Sequence, residues 1–458
     1  MDLRTYMESV RRLAPERLLE VADKHDIRLE VCAMIADLEK QKREPLVLFS
    51  NVDNLSGEPS EFPLLMNVFA SRAACAVALG LPPEQAGREL MLEFQAREAR
   101  REKPVVVNAA DAPVKQVRMD PNLYFLPVLT HHVADLGPYL TMTWCARDPD
   151  TGVYNSSFHR CYVRDPNHLV MFFERRHLWD YFMRAEERGE ALPVACVVGH
   201  HPAYYLGNCI LNGIAEDEYE SIGGLMGEPL RLVPSETFGD ELMVPADAEM
   251  VIEGRVLPHQ REVEGPFGDF TGLYGDPGKS PVVEVTAITH RRDAWCMDIL
   301  AGHRDHRLLG AVPKEGSIYR KVQAVVPTVR SVCLPLSGAG RFHCYISIDK
   351  RCEGEAKLAA MAAFTGTELL KHIIVVDSDI DVYDEEEVLW AVATRVDAAT
   401  DISIIDRVKG SRLDPVHPGQ DWGSKLIIDA CRNEEIEFPD RIAAAEYRPG
   451  PPRGGNGS

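Results

Sequence analysis

The spacing of apolar residues divides the chain into three textures. Residues 2–43 read as helical, with Leu18, Leu19, Val21 and Ile27 set among charges, and Leu46–Phe49 follows as a strand. The apolar run 62–66 and a helix-like stretch over 70–100 complete a mixed α/β unit, 1–107, in which 97–103 reads as an exposed helix end. From residue 105 the pattern shortens to β-type runs at 105–107, 140–144, 160–163 and 169–173. Asp165-Pro166-Asn167-His168 is a turn sequence, so the last two runs are expected to form a hairpin. With a helical insert at 178–188, residues 108–315 read as a curved or barrel-like sheet. Beyond it, helix 356–371, strand 372–376, helix 385–396 and strand 402–405 alternate as in a parallel sheet, giving a carboxy-terminal α/β unit, 316–445. Residues 446–458, rich in Pro and Gly, are expected to be disordered. The fold class is therefore α+β and multidomain, a central sheet domain flanked by two α/β units.

Composition narrows the function. At 458 residues, 45% hydrophobic and 26% charged, the chain reads as an ordinary globular protein of two or three domains. No apolar run approaches the roughly 18 residues that span a bilayer, and the amino terminus is charged where a signal peptide is apolar, so a cytoplasmic protein without a membrane partner is expected. The net charge of −21 and the lack of a basic stripe argue against nucleic acid as partner and favour small-molecule chemistry. Eleven scattered cysteines without a CxxC pair read as reduced thiols, with no disulfide framework or zinc knuckle.

The stretch with most chemical content runs from Glu264 through Pro266, Phe267, Gly268 and Asp269 to Gly272. Pro266 fixes its own φ and the glycines permit dihedrals that other residues resist, so a tight, stiff loop is expected. Such a loop can hold two carboxylates at different depths, one ionised and one protonated near neutral pH. A solvated turn is the plainer alternative; the strand-like flanks at 250–252 and 282–288 tie the loop to a sheet instead. Upstream, Asn155 and Arg160 lie five apart on an expected strand, followed by His177 and Glu218. An amide oxygen, an imidazole and a carboxylate suit Mn²⁺ or Mg²⁺ better than a thiophilic metal, although each is equally compatible with ordinary hydrogen-bonded structure.

Taken in order, Asn155-x4-Arg160, Asp165-x-Asn167-His168-Leu169, Arg176-His177, Asp217-Glu218-Tyr219 with Leu225-x-Gly227-Glu228-Pro229, the loop Glu264 to Asp269, and Val375-Val-Asp-Ser-Asp-Ile-Asp-Val with Val388-Leu-Trp-Ala resemble the UbiD family of reversible decarboxylases over about residues 45–430. The resemblance implies a central split β-barrel that binds prenylated FMN, a cofactor supplied by a separate flavin prenyltransferase, and a carboxy-terminal domain that builds a homodimer or larger assembly. It implies that Asn155, His177 and Glu218 hold Mn²⁺ or Mg²⁺ against the flavin phosphate, with K⁺ nearby; Glu216 competes as a ligand, but counting back from Gly227 favours Glu218. Ser157, Phe158, His159, Arg160, Arg176, Asn208 and Cys209 would also line the flavin, the last two where relatives carry small polar residues.

By the same resemblance the catalytic trio is Arg160, Glu264 and Asp269. Arg160 would orient the substrate carboxylate and keep Glu264 ionised, and Asp269 would deliver the proton that replaces carbon dioxide after 1,3-dipolar addition of the flavin to the substrate. A buried Arg160–Glu264 ion pair with Asp269 as a turn cap is the structural alternative. His303, Asp305, His306 and Leu309 fall where relatives line the substrate pocket; with Arg304 and Arg307 beside them they suggest a polar or second anionic group on an aromatic or heteroaromatic acid. Ser411 to Asp414 is expected to close the pocket from the carboxy-terminal side, with hinge motion gating entry. Decarboxylation of 4-hydroxy-3-polyprenylbenzoate, a non-catalytic partner subunit of a decarboxylase complex, and a flavin-free metal hydrolase are the alternatives to an aromatic-acid decarboxylase.

Overall fold

The computed structural model describes residues 1–433 and 436–442, so the expectation for 446–458 lies outside the described residues. Helix Leu3–Leu13 starts at Asp2, whose carboxylate accepts the Thr5 amide at 2.9 Å, and buries Leu3, Tyr6, Met7 and Val10. It does not continue to residue 43. Pro15 cannot donate to the preceding turn, and the chain leaves the helix to form strand Leu18–Val21, parallel to Leu46–Phe49, with helix Glu30–Lys40 as the crossover. The expected helix over 70–100 is likewise two, Arg72–Ala78 and Arg88–Glu98, interrupted where Gly80, Pro82 and Pro83 stand. Residues 99–103, which follow the second helix, are exposed as expected, but Glu98 itself is buried and accepts the Ser317 hydroxyl. Strand Leu64–Met66 pairs with Leu46–Phe49 on one side and with Cys296–Met297 on the other, so the amino-terminal sheet takes its last strand from late in the chain.

The central sheet is built on the long antiparallel pair Met250–Glu264 and Gly278–His290. Leu192–Val198 and then Thr143–Arg147 and Tyr154–Phe158 extend it on one side; His168–Met171, Cys161–Asp165 and Tyr139–Leu140 extend it on the other. The expected hairpin across Asp165 to His168 is present. The two ends of this path belong to one second hairpin. Leu140 faces Cys161 and Thr143 faces Phe158 in a single register, interrupted only at Thr141-Met142 and His159-Arg160. The sheet therefore curls until its ends meet in that hairpin, and the split lies at Arg160. Asn155 and Arg160 do not share an uninterrupted strand, because here the hairpin exchanges one neighbour, Leu192–Val198, for another, His168–Met171.

The carboxy-terminal unit is a five-stranded sheet. His343–Ile348, His372–Asp377 and Trp422–Ala430 run parallel, but both edges, Val329–Cys333 and Ile402–Lys409, are antiparallel, so the sheet is mixed where all-parallel was expected. Helix 356–371 ends early, as Glu355–Phe364, with Gly366 following.

Helix Arg304–Gln323 joins the two halves. Leu309 and Val312 pack into the apolar core that runs from Leu3 onward, while Ala311, Ile318, Tyr319 and Val322 pack into the core of the carboxy-terminal sheet. On the same helix, the buried Glu315 accepts Arg72 Nη1 and Nη2 at 2.9 and 2.8 Å and the Leu334 amide at 3.0 Å, tying three parts of the chain together. Replacing Arg72 by Met should leave Glu315 buried and unpaired, at a cost of about 3–5 kcal/mol. Urea denaturation measures this, and a loss below about 1 kcal/mol would show that the joint does not rest on the pair.

Candidate active site

Glu264 is the last residue of its strand, and after the cis Gly265–Pro266 peptide the pair Phe267–Gly268 makes a short ladder with Tyr274–Gly275. The loop is thus part of the sheet's margin. Glu264 is 1% exposed and accepts Arg160 Nε at 2.8 Å and Nη2 at 2.9 Å. The buried Tyr139 hydroxyl donates to the same carboxylate at 3.1 Å and receives the Gly265 amide at 3.1 Å, fixing the turn onto the barrel. The Arg160 guanidinium lies over Phe172 and Phe267, 4.3 and 5.4 Å from their ring centres. Two of its nitrogens are taken by Glu264, and Nη1 has no hydrogen-bond partner among the described residues.

Asp269 follows five residues on. Its carboxylate accepts the Phe270 amide at 2.6 Å, and burial pushes its pKa up against the opposing fields of Arg160 and Arg341. The loop accordingly holds its two acids in different settings, Glu264 fully paired with a guanidinium and Asp269 without a paired cation among the described residues.

Asn155, His177 and Glu218 come together although they lie on three elements: a strand, and the first residues of helices His177–Glu187 and Glu218–Met226. Glu218 Oε1 is 2.8 Å from Asn155 Nδ2 and 3.3 Å from His177 Nδ1, and its other oxygen accepts the Ser156 amide at 2.7 Å. Burial raises its pKa. Glu216, the competing candidate, points away to the Gly213 amide and Arg101. Beside the three, Ser157 Oγ bridges Asn155 Oδ1 and His159 Nε2, and burial lowers the His159 pKa to about 4. Phe158 packs on Tyr205. Arg176 reaches out to Glu368, and the buried Asn208 Oδ1 has no hydrogen-bond partner among the described residues. Burial raises the Cys209 pKa against the fields of Lys314 and Arg341.

The expected pocket residues diverge. His303 pairs with Glu39 at 2.6 Å and stacks on His132. Asp305 is fully buried against the amino-terminal unit, with the Phe69 amide on its carboxylate, and burial raises its pKa to about 7. Leu309 is core. Only His306 sits among buried cations: burial and the fields of Arg341, Arg307 and Lys314 depress its pKa to about 3.

Of those cations Arg307 was expected beside the pocket, whereas Arg341 and Lys314 were not singled out from the sequence. Arg341 is 8% exposed and donates to the Arg307 and Gly340 carbonyls, while Lys314 donates to the Gly310 carbonyl at 2.9 Å. Burial lowers Arg341 to about 10 and, together with Arg341, lowers Lys314 to about 7. The available signal was a lone lysine closing the run Leu308-Leu-Gly-Ala-Val-Pro. In the 411–414 segment Asp414 accepts Lys371 at 2.9 Å within the carboxy-terminal unit, and Leu413 packs against the cluster that holds Phe270, the residue after Asp269.

The chain matches three family models in order: the 3-octaprenyl-4-hydroxybenzoate carboxy-lyase N-terminal domain over residues 12–93, its Rift-related domain over 105–304, and its C-terminal domain over 307–430. An anhydromevalonate phosphate decarboxylase of Methanothermobacter thermautotrophicus is 42% identical over 306 residues, 67% of this chain and 72% of that one. Among solved structures, the UbiD-class enzyme HmfF from Pelotomaculum thermopropionicum in complex with FMN is 37% identical with a TM-score of 0.88 over 97% of both chains. An evolved dimeric form of the same enzyme, in complex with prFMN, superposes with a TM-score of 0.85 over 97% of both chains. With an Arg-paired buried glutamate at the barrel's split and all three segments in sequence, the chain belongs to the UbiD family and is a carboxy-lyase of that class.

Proposed function

We propose that the chain decarboxylates, reversibly, an aromatic or heteroaromatic acid with prenylated FMN as cofactor. The observation that carries this is the Arg160–Glu264 pair with a free guanidinium nitrogen, set beside a second carboxyl whose burial favours its protonated form. The solved relatives that hold FMN or prFMN, and those named as 3,4-dihydroxybenzoic acid and vanillic acid decarboxylases, support the cofactor and substrate class.

The residues present fit the cofactor. Asn155, His177 and Glu218 offer amide, imidazole and carboxylate donors within one small space, suited to Mn²⁺ or Mg²⁺, and a cation there would offset the burial of Glu218. Among the described residues no group of three or more His, Cys, Asp or Glu forms such a site, so the amide of Asn155 is needed to complete it. Ser157, Phe158, His159, Arg176, Asn208 and Cys209 would line the flavin, with K⁺ beside its phosphate. Prenylated FMN supplies a sink for the electron pair left when the carboxylate departs as carbon dioxide.

The chain's own groups do the positioning. Arg160 holds the substrate carboxylate through Nη1 while Glu264 and the two rings keep the guanidinium fixed. Asp269 donates the proton to the carbon that lost carbon dioxide, and is recharged from solvent for the next turnover. The partner-subunit alternative is disfavoured because both acids and the arginine are retained in working order.

A second substrate reading has its own support: several relatives, at 42% to 31% identity, are named as anhydromevalonate phosphate decarboxylases, so an unsaturated acid carrying a phosphate is the alternative. The setting we propose is cytoplasmic, with a flavin prenyltransferase as supplier. Nine of the eleven cysteines are buried free thiols, and no helix among the described residues is long and apolar enough to cross a membrane. Exposed Ile402 and Ile404 on the edge strand Ile402–Lys409 support a homodimer or larger assembly.

Asp269→Asn should lower carbon dioxide release by about 10²–10⁴-fold while flavin absorbance per chain is kept. Full turnover in that variant would remove Asp269 as donor. Because the donor must be protonated, the wild-type rate should fall as pH rises through the raised Asp269 pKa; a rate that climbs across that limb contradicts the role. His177→Ala should instead lose manganese and flavin together, read by metal analysis and absorbance.

A further inference from the structure

One short stretch of chain, His132 to Tyr139, grips the loop that carries the two acids. The grip has two ends. At the first, the Tyr139 hydroxyl donates to Glu264 and receives the Gly265 amide, so Glu264 and the Arg160 paired with it are fixed before the chain turns at Pro266. At the second, three successive residues bond to the loop. The Ala134 amide donates to the Tyr274 hydroxyl at 3.1 Å, Asp135 Oδ1 accepts the Gly268 amide at 3.1 Å, and the Leu136 amide donates to the Pro266 carbonyl at 2.9 Å. The His132 ring fills the remaining space, edge-on to Phe267 and Tyr274. A β-carbon at position 268 would fall 2.5 Å from its Nδ1, so only glycine fits there with the ring in place.

The Asp135 side chain is 0% exposed, yet among the described residues no lysine or arginine pairs with it. Besides the Gly268 amide it accepts the His132 amide at 2.7 Å, and the His132 ring stands 3.4 Å away. A carboxylate bonded to two backbone amides fixes geometry: it closes its own turn, in which the Asp135 amide returns to the His132 carbonyl at 3.1 Å, and clamps the loop onto that turn. Asp269 comes next in the chain. Its carboxyl accepts the Phe270 amide and therefore moves with its own backbone. Beyond it Arg307 Nε holds the Phe270 carbonyl at 3.0 Å, but from a long, partly exposed side chain, so the short, buried Asp135 is the stiffer of the two ties. Resting on the decarboxylase reading, we propose that Asp135 is a positioning residue for proton delivery, setting the reach of Asp269 while Tyr139 separately sets Glu264 and Arg160. One anchor serves the hold on the substrate carboxylate, the other the proton that replaces carbon dioxide. A misplacement of about 1 Å at a reacting group costs roughly 10²-fold, so loss of Asp135 slows the proton step and spares the steps before it.

The test compares flavin-loaded wild type with Asp135→Ala, Asp135→Asn, Gly268→Ala and Tyr139→Phe. Hydrogen exchange read by mass spectrometry comes first, because it needs no substrate. In Asp135→Ala the segment 265–276 should exchange about tenfold faster or more, and Asp135→Asn, which keeps an oxygen for the Gly268 amide, should restore most of the protection. Gly268→Ala pushes the loop off His132 with Asp135 intact and should reproduce the Asp135→Ala pattern, so the outcome does not hang on one variant. Carbon dioxide release from 3,4-dihydroxybenzoate and vanillate then gives kcat and the first turnover, and calorimetry gives the dissociation constant. Asp135→Ala should lower kcat about 10²-fold, with the dissociation constant kept within about twofold and the first carbon dioxide per site released at the wild-type rate. Tyr139→Phe should instead weaken acid binding and slow that first release. Equal losses of binding, first release and kcat in Asp135→Ala mark a merely structural residue and overturn the proposal, as does unchanged exchange over 265–276. If the wild type releases no carbon dioxide from either acid, the decarboxylase reading fails on them, and the exchange pattern alone upholds or overturns Asp135 as the anchor.

Discussion

The central sheet is governed by a covalent constraint: its two ends are halves of one hairpin. Phe158 and Cys161 are separated by only two residues, so their Cα atoms cannot be more than about 11 Å apart, yet they pair with opposite ends of the strand path. A flat sheet of this order would tear the hairpin, and curling is the only solution. The ladder is interrupted where the hairpin changes partners, which frees the backbone around Arg160 and lets its side chain meet Glu264 at the end of the longest strand. Fold closure and the first element of the active site therefore share one cause.

Charge divides the interior into two regimes. At the joints, guanidinium–carboxylate pairs such as Arg72–Glu315 are closed and serve architecture. Around the loop Glu264 to Asp269, charges are left incomplete among the described residues: a guanidinium with one nitrogen to spare, a carboxyl without a paired cation, and two cations bonded only to carbonyls. Incomplete charge in a buried place is what a ligand of the opposite sign would complete.

Much of this was legible in the chain. The loop Glu264 to Asp269 and the hairpin at Asp165 to His168 follow from turn chemistry, a local signal, whereas the convergence of Asn155, His177 and Glu218 was implied only by the family resemblance. Three things were not. The strand Leu18–Val21 is too short for periodicity to separate from a helix, and only its pairing with Leu46–Phe49 defines it. The antiparallel edges of the carboxy-terminal sheet depend on where the chain re-enters, which alternation of helix and strand does not encode. Asp305 and Lys314 lie on one helix, nine residues apart, yet one is buried against the amino-terminal unit and the other lies in the field of Arg341. The family resemblance placed the first in the pocket, and the one signal for the second was a lone lysine closing an apolar run.

The strand Cys296–Met297 that completes the amino-terminal sheet has a consequence for biogenesis. On the ribosome, Leu18–Val21, Leu46–Phe49 and Leu64–Met66 emerge long before their last partner is synthesised, so the edge of Leu64–Met66 stays open through some 230 further residues of translation. The amino-terminal unit cannot finish folding as a nascent domain. It must wait for the central sheet, and the first part of the protein to be made is among the last to be sealed.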